Sequence, residues 1–136
     1  MTNRIRPIDF DRDTGPFFAA AKDHRLVYRA CTACGRGTHL PTDYCSFCGA
    51  AAMEWRDAVG RGSLFTWTTV VHQVHPAYPA PYTLVVVALE EAPEVRLVGA
   101  LPGQPMLSAG QPMTVWFEDI GEGQVLPQWR PADKAS

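Results

Sequence analysis

The sequence predicts a mainly β protein: a short N-terminal helix, a four-cysteine metal ribbon and a five-stranded barrel. Three observations carry this. All four cysteines fall in one stretch, as Cys31-Thr32-Ala33-Cys34-Gly35 and Cys45-Ser46-Phe47-Cys48-Gly49. Twelve Pro and eleven Gly among 136 residues divide the chain into short segments, which disfavours a helical bundle. From Ser63 onward, β-branched and aromatic residues recur with rough alternation and without a helical period.

The ribbon is the most specific element. Each half is a Cys pair spaced by two residues and followed by Gly, which permits the backbone turn that brings amides to the sulfur atoms. Two such loops offer Cys31, Cys34, Cys45 and Cys48 as four soft ligands in a tetrahedron, the geometry of a closed structural zinc site. No position is left for water, so the metal braces the fold and does not catalyse. Iron of the rubredoxin type uses the same ligands and remains open. Two disulfides would need an oxidising compartment, and a redox pair would not need a duplicate. His39, between the pairs, could replace a ligand, but four Cys suffice.

In chain order, residues 1–13 read as a flexible arm ordered against a partner. Asp13 or Thr14 can cap a helix with Pro16 in its first turn, expected over Pro16 to His24 with Phe17, Phe18 and Ala21 on one side. So short a helix must pack on something; its own ribbon and a partner are both open. Leu26 to Ala30 leads as a strand into the first Cys pair, and Thr38 to Tyr44 returns to the second. Trp55 is expected to plug the junction of ribbon and barrel, and Gly60-Arg61-Gly62 punctuates it.

Strands are then expected at Ser63–Val74, Tyr82–Glu90, Glu94–Leu101, Met113–Glu118 and Gln124–Trp129. The Pro-dense loop from His75 to Pro81 separates the first two. Five strands in about 70 residues fit a closed or nearly closed barrel such as an OB-fold, with a five-stranded sandwich as the alternative. The expected divisions are 1–25 (arm and helix), 26–59 (ribbon), 60–131 (barrel) and 132–136 (tail).

The start of the chain lacks the apolar run of a signal peptide, and no stretch has the length of a transmembrane helix. With all Cys assigned to metal, the expectation is a soluble cytoplasmic protein with no membrane contact. Net charge is −2 but uneven. Between Ser63 and Trp129 the only Lys or Arg is Arg96, whereas Arg25, Arg29, Arg36, Arg56 and Arg61 lie earlier.

No catalytic constellation assembles. No Cys is left as a nucleophile, and neither a Gly-x-Ser-x-Gly elbow nor a phosphate-cradling Gly loop occurs. His72 and His75 would point to opposite faces of a strand and read as loop or surface residues. Glu90 and Glu91 read as a solvated edge. A zinc ribbon joined to an OB-fold could also bind nucleic acid through a basic groove and stacking aromatics. The aromatics exist, but a single Arg between Ser63 and Trp129 cannot offset a phosphate backbone. That alternative rests on fold analogy alone.

The order of these features resembles a family: a short aromatic helix, the four-Cys ribbon, Glu54-Trp55, Gly60-Arg61-Gly62, Pro81-Tyr82, Met113 to Phe117, and the closing Leu126-Pro127-Gln128-Trp129-Arg130-Pro131. From about Phe17 to Pro131 it is similar to the acyl-CoA-associated OB-fold family with a rubredoxin-like zinc ribbon, long catalogued as a domain of unknown function. The resemblance implies a non-catalytic partner of a thiolase-superfamily enzyme. Such enzymes include thiolases, acyltransferases and the lipid-transfer-protein-like retro-aldolase of steroid side-chain degradation. It implies a heterotetramer in which acyl-CoA is shared with the partner. Arg25, Arg29 and Arg36 would contact the CoA phosphates by charge-assisted hydrogen bonds. Pro41-Thr42 departs from the family, which places a basic residue after the proline. A small acyl-CoA-binding protein acting alone is the further alternative.

Overall fold

The computed structural model describes residues 4–132; the first three residues of the arm and residues 133–136 of the expected tail lie outside the described residues. Helix α1 spans Gly15–Lys22. Thr14 occupies the N-cap position, but its side chain makes no capping bond. Its hydroxyl donates to Asp11 instead, and the Asp11 carboxylate also accepts the Thr14 N–H at 3.1 Å. The helix stops earlier than expected because His24 turns left-handed, at φ 57. The amides of His24 and Arg25 then close back on the carbonyls of Ala21 and Ala20, a Schellman ending. The His24 imidazole stacks on Phe117 at 5.1 Å, which anchors that turn to the barrel.

Three antiparallel strands form the ribbon sheet, β1 Leu26–Cys31, β2 Gly37–Thr38 and β3 Met53–Ala58, in the order β2-β1-β3. The return expected over Thr38 to Tyr44 is a loop beyond Thr38. Trp55 does not plug the core: it is half-buried on β3, with the Arg29 guanidinium 5.4 Å above its ring. The fully buried tryptophan is Trp129.

The second sheet holds β4 Arg61–Val70, β5 Tyr82–Leu89, β6 Arg96–Pro102, β7 Pro112–Gly121 and β8 Gln124–Pro131, ordered β6-β5-β4-β7-β8. It has the five antiparallel strands of the expected OB-fold. Among the described residues its two edges, β6 and β8, form no ladder with each other. The inward alternation of β5, with Val85, Val87 and Leu89 fully buried, fills the barrel together with Leu64, Val95, Met113 and Trp129. Leu26, Tyr28 and Ala30 of β1 join the same core, so ribbon and barrel share one apolar interior.

The arm is ordered against its own barrel. The Gln124 side-chain amide donates to the Pro7 carbonyl at 3.2 Å and to the Asp9 carboxylate at 3.0 Å. The acidic β5–β6 turn is likewise not merely solvated, since Glu91 accepts the N–H of Val59 at 2.8 Å. Among the described residues no helix is long and apolar enough to cross a membrane.

Candidate metal centre and apolar cleft

The two Cys loops are near copies. Gly35 N–H donates to the Cys31 carbonyl and Gly49 N–H to the Cys45 carbonyl, both at 2.9 Å. Cys31 N–H reaches the Arg36 carbonyl and Cys45 N–H that of Ala50, also at 2.9 Å. Each loop needs a residue at positive φ to close this way, and Gly35 and Gly49 supply it at 82° and 79°. The loops therefore present sulfur atoms in matched orientation.

All four Sγ atoms lie within 4.8 Å of one another. Cys31 Sγ sits 3.7 Å from Cys48 Sγ, and Cys34 Sγ 3.6 Å from Cys45 Sγ. A disulfide would require about 2.05 Å. A zinc ion with Zn–S bonds of about 2.3 Å places its thiolates about 3.8 Å apart at tetrahedral corners, so the set fits such an ion. The backbone favours thiolate. Cys45 is lowered to about 6, first by the N–H of Cys48 and then by that of Phe47, at 3.5 and 3.4 Å from its sulfur. Cys31 is lowered by the N–H of Cys34. Cys48 is pulled down by the N–H of Ala50, but the neighbouring thiols, Cys31 first, push it up to about 11.

A second feature lies between the three parts of the molecule. A cleft of about 490 Å³ opens over the seam between β6 and β8. Its floor is Gly99, Ala100, Gln128 and Trp129. One wall is Phe17 and Phe18 of α1, another is His39, Leu40 and Pro41 of the ribbon loop, and Tyr78 and Tyr82 stand at a third side. Among the described residues no charged side chain lines it, and partial desolvation lowers the pKa of His39, which favours a neutral imidazole. The volume is that of a small-molecule pocket. Sequence reading missed this site because its walls come from segments far apart in the chain; the paired aromatics Phe17 and Phe18 were the available signal.

Arg25, Arg29 and Arg36 do not line the cleft and are differently occupied. Arg25 donates to Asp57 at 2.7 Å, which raises its pKa. Arg29 donates to the Thr42 carbonyl at 3.2 Å and faces Asp43. Arg36 lies 4.7 Å over the Phe47 ring, with no ion pair among the described residues. His72 and His75 are exposed, and His75 Nδ1 accepts the N–H of Ala77.

Residues 18–54 match the sequence model of the ChsH2 rubredoxin-like zinc ribbon domain, and residues 55–118 that of the ChsH2 C-terminal OB-fold domain. Among solved structures, a chain of the "Ltp2-ChsH2(DUF35) aldolase" superposes with a TM-score of 0.80 at 33% identity, over 93% of this chain and 98% of that one. A DUF35 protein of unknown function from Sulfolobus solfataricus shares the fold, with a TM-score of 0.59 at 16% identity over 76% of this chain and 77% of its own. A curated relative from Thermomonospora curvata, "Probable enoyl-CoA hydratase alpha subunit", is 33% identical over 95% of this chain. The chain spans only 40% of that relative's length. With its ribbon, its OB-fold and nearly the whole length of a ChsH2-complex chain matched, this chain belongs to the ChsH2 (DUF35) family.

Proposed function

We propose that the chain is a non-catalytic partner subunit of a thiolase-like enzyme and helps it accommodate an acyl-CoA substrate. The observation that carries this reading is the near full-length likeness to a chain of an aldolase built from Ltp2 and ChsH2. The name of the Thermomonospora curvata relative also belongs to CoA-thioester chemistry. The reacting groups would belong to the partner, a lipid-transfer-protein-like retro-aldolase of steroid side-chain degradation or a related acyltransferase. The assembly would be a two-plus-two heterotetramer in the cytoplasm.

In this reading Cys31, Cys34, Cys45 and Cys48 hold a structural zinc ion, whose role is to fix the ribbon loop that walls the cleft. The cleft takes an uncharged, apolar portion of the acyl-CoA, because nothing lining it could neutralise a phosphate. Phosphate contacts would come from the arginines outside. Arg36 is the best placed of the three, since Arg25 and Arg29 would have to leave existing partners.

Affinity purification from the native cell, with mass spectrometry of stoichiometric companions, tests the reading. A thiolase-like or lipid-transfer-like enzyme is the expected companion; nucleic acid or no companion overturns it. In the purified assembly, replacing Arg25, Arg29 and Arg36 together by Ala should weaken CoA-thioester binding, and unchanged affinity removes the phosphate role.

A further inference from the structure

The seam under the cleft lacks a ladder but is not free. Gln128 Oε1 accepts the N–H of Ala100 at 2.8 Å, so a side chain on β8 stands in for a backbone acceptor to β6. Beside it the strands nearly touch: a Cβ on Gly99 would lie 2.9 Å from the Trp129 nitrogen. The other end of the same amide donates to Glu118 Oε1 at 3.1 Å. The Glu118 side chain is only 8% exposed, and its second oxygen faces Arg4 Nε at 3.4 Å. Arg4 also lies 4.9 Å over the ring of Tyr78, a wall of the cleft.

These contacts form a chain of dependence. The Ala100 N–H is satisfied only while the Gln128 amide keeps one orientation. That orientation is set by the carboxylate that takes its N–H. A buried carboxylate is costly without a counter-charge, and among the described residues Arg4 supplies it. Without Arg4, Glu118 must draw in water or swing out toward it, and either loosens the constraint on Gln128.

Arg4 belongs to a lightly held segment. The arm is attached by polar contacts, from Gln124 to Pro7 and Asp9, from Lys22 to Asp9, from Arg4 to the Ala77 carbonyl and through the ion pairs Arg6–Glu122 and Arg12–Asp43, while Ile5, Ile8 and Phe10 face outward. A segment with few buried apolar contacts opens at low free energy. We propose that the N-terminal arm is a strap that sets the opening of the β6–β8 seam, and so the floor of the cleft, through the relay Arg4–Glu118–Gln128–Ala100. Detaching the arm loosens the floor. The inference is independent of what the cleft binds.

Amide hydrogen exchange of the full chain tests it. Arg4→Met keeps much of the stem and removes the charge. It should speed exchange at Ala100 roughly tenfold, the loss of about one hydrogen bond, while Gly37 on the ribbon is unchanged. In a Glu118→Gln background, where no buried charge needs Arg4, that acceleration should disappear. Unchanged exchange at Ala100, equal acceleration at Gly37, or the full effect in the Glu118→Gln background each overturns the relay.

Discussion

Glu94 Oε2 accepts the backbone N–H of Gly37 at 2.7 Å, so the β5–β6 turn of the barrel grips the outer strand of the ribbon. The fit around Gly37 is tight: a Cβ there would lie 2.5 Å from Val95 Cγ2 and 3.1 Å from the Tyr28 ring. Gly37→Ala should therefore destabilise by about 1–3 kcal/mol through overpacking. Glu94→Ala should cost about 1–2 kcal/mol by leaving that amide without its acceptor. Urea denaturation reads both, and a midpoint unchanged in Gly37→Ala would show that the interface yields at no cost.

Replacing a buried thiol removes one corner of the sulfur tetrahedron. Cys31→Ser or Cys45→Ser should reduce bound metal well below one equivalent and disorder the ribbon, because in such small modules metal binding supplies much of the folding free energy. A chelator added to the unaltered protein should lower its melting temperature. Metal analysis by mass spectrometry checks the first outcome, and a melting curve indifferent to chelator contradicts the second.

Trp129 is fully buried against the residues that close the barrel. Trp129→Ala should cost about 3–5 kcal/mol, the range for deleting a large core aromatic. Trp55→Ala should cost markedly less, because that ring is half-buried and its noted partner is the guanidinium of Arg29. Equal losses in paired denaturation curves would contradict the assignment of Trp129 as the core tryptophan.

Acid should loosen the arm. Asp9 is held below its ordinary value of 3.8, first by the Gln124 amide, and Asp11 below 3.8, first by the Thr14 hydroxyl. A carboxylate whose pKa is depressed by folding contributes fully above its unfolded value and loses that contribution as pH falls through the folded one. Backbone relaxation of residues 7–14 should thus be constant above pH 3.8 and show growing mobility below it. An arm equally rigid at the acid end would show that these carboxylates do not hold it.

The parts legible in the sequence were those with local causes. The Cys-x-x-Cys-Gly repeat fixes its own loops, and β5 announces itself by an apolar run bounded by proline turns. Strand β3 escaped notice because Glu54, Arg56 and Asp57 give an edge strand a polar appearance, while its pairing with Val27, Tyr28 and Ala30 is set by the ribbon turn. Trp55 and Trp129 could not be ranked from their neighbours, since burial depends on which strand closes the barrel. The cleft was invisible for the same reason: Phe17, Leu40, Ala100 and Pro127 meet only in three dimensions. The arm looked unstructured because its anchors, Glu118 and Gln124, come more than a hundred residues later.

Helix α1 rests on both β1 and β8, two strands between which most of the ribbon and the other four strands of the barrel are synthesised. The ribbon, contiguous in sequence, has all its residues available while most of the barrel is still unmade. Trp129 and Gln128 arrive late, and until then Phe17 and Phe18 have no finished surface to cover. The helix is made well before the strand that it seats on. Biogenesis of the cleft thus waits on β8, and a nascent chain halted before Gln124 would display an aromatic helix in search of cover, a natural substrate for a chaperone.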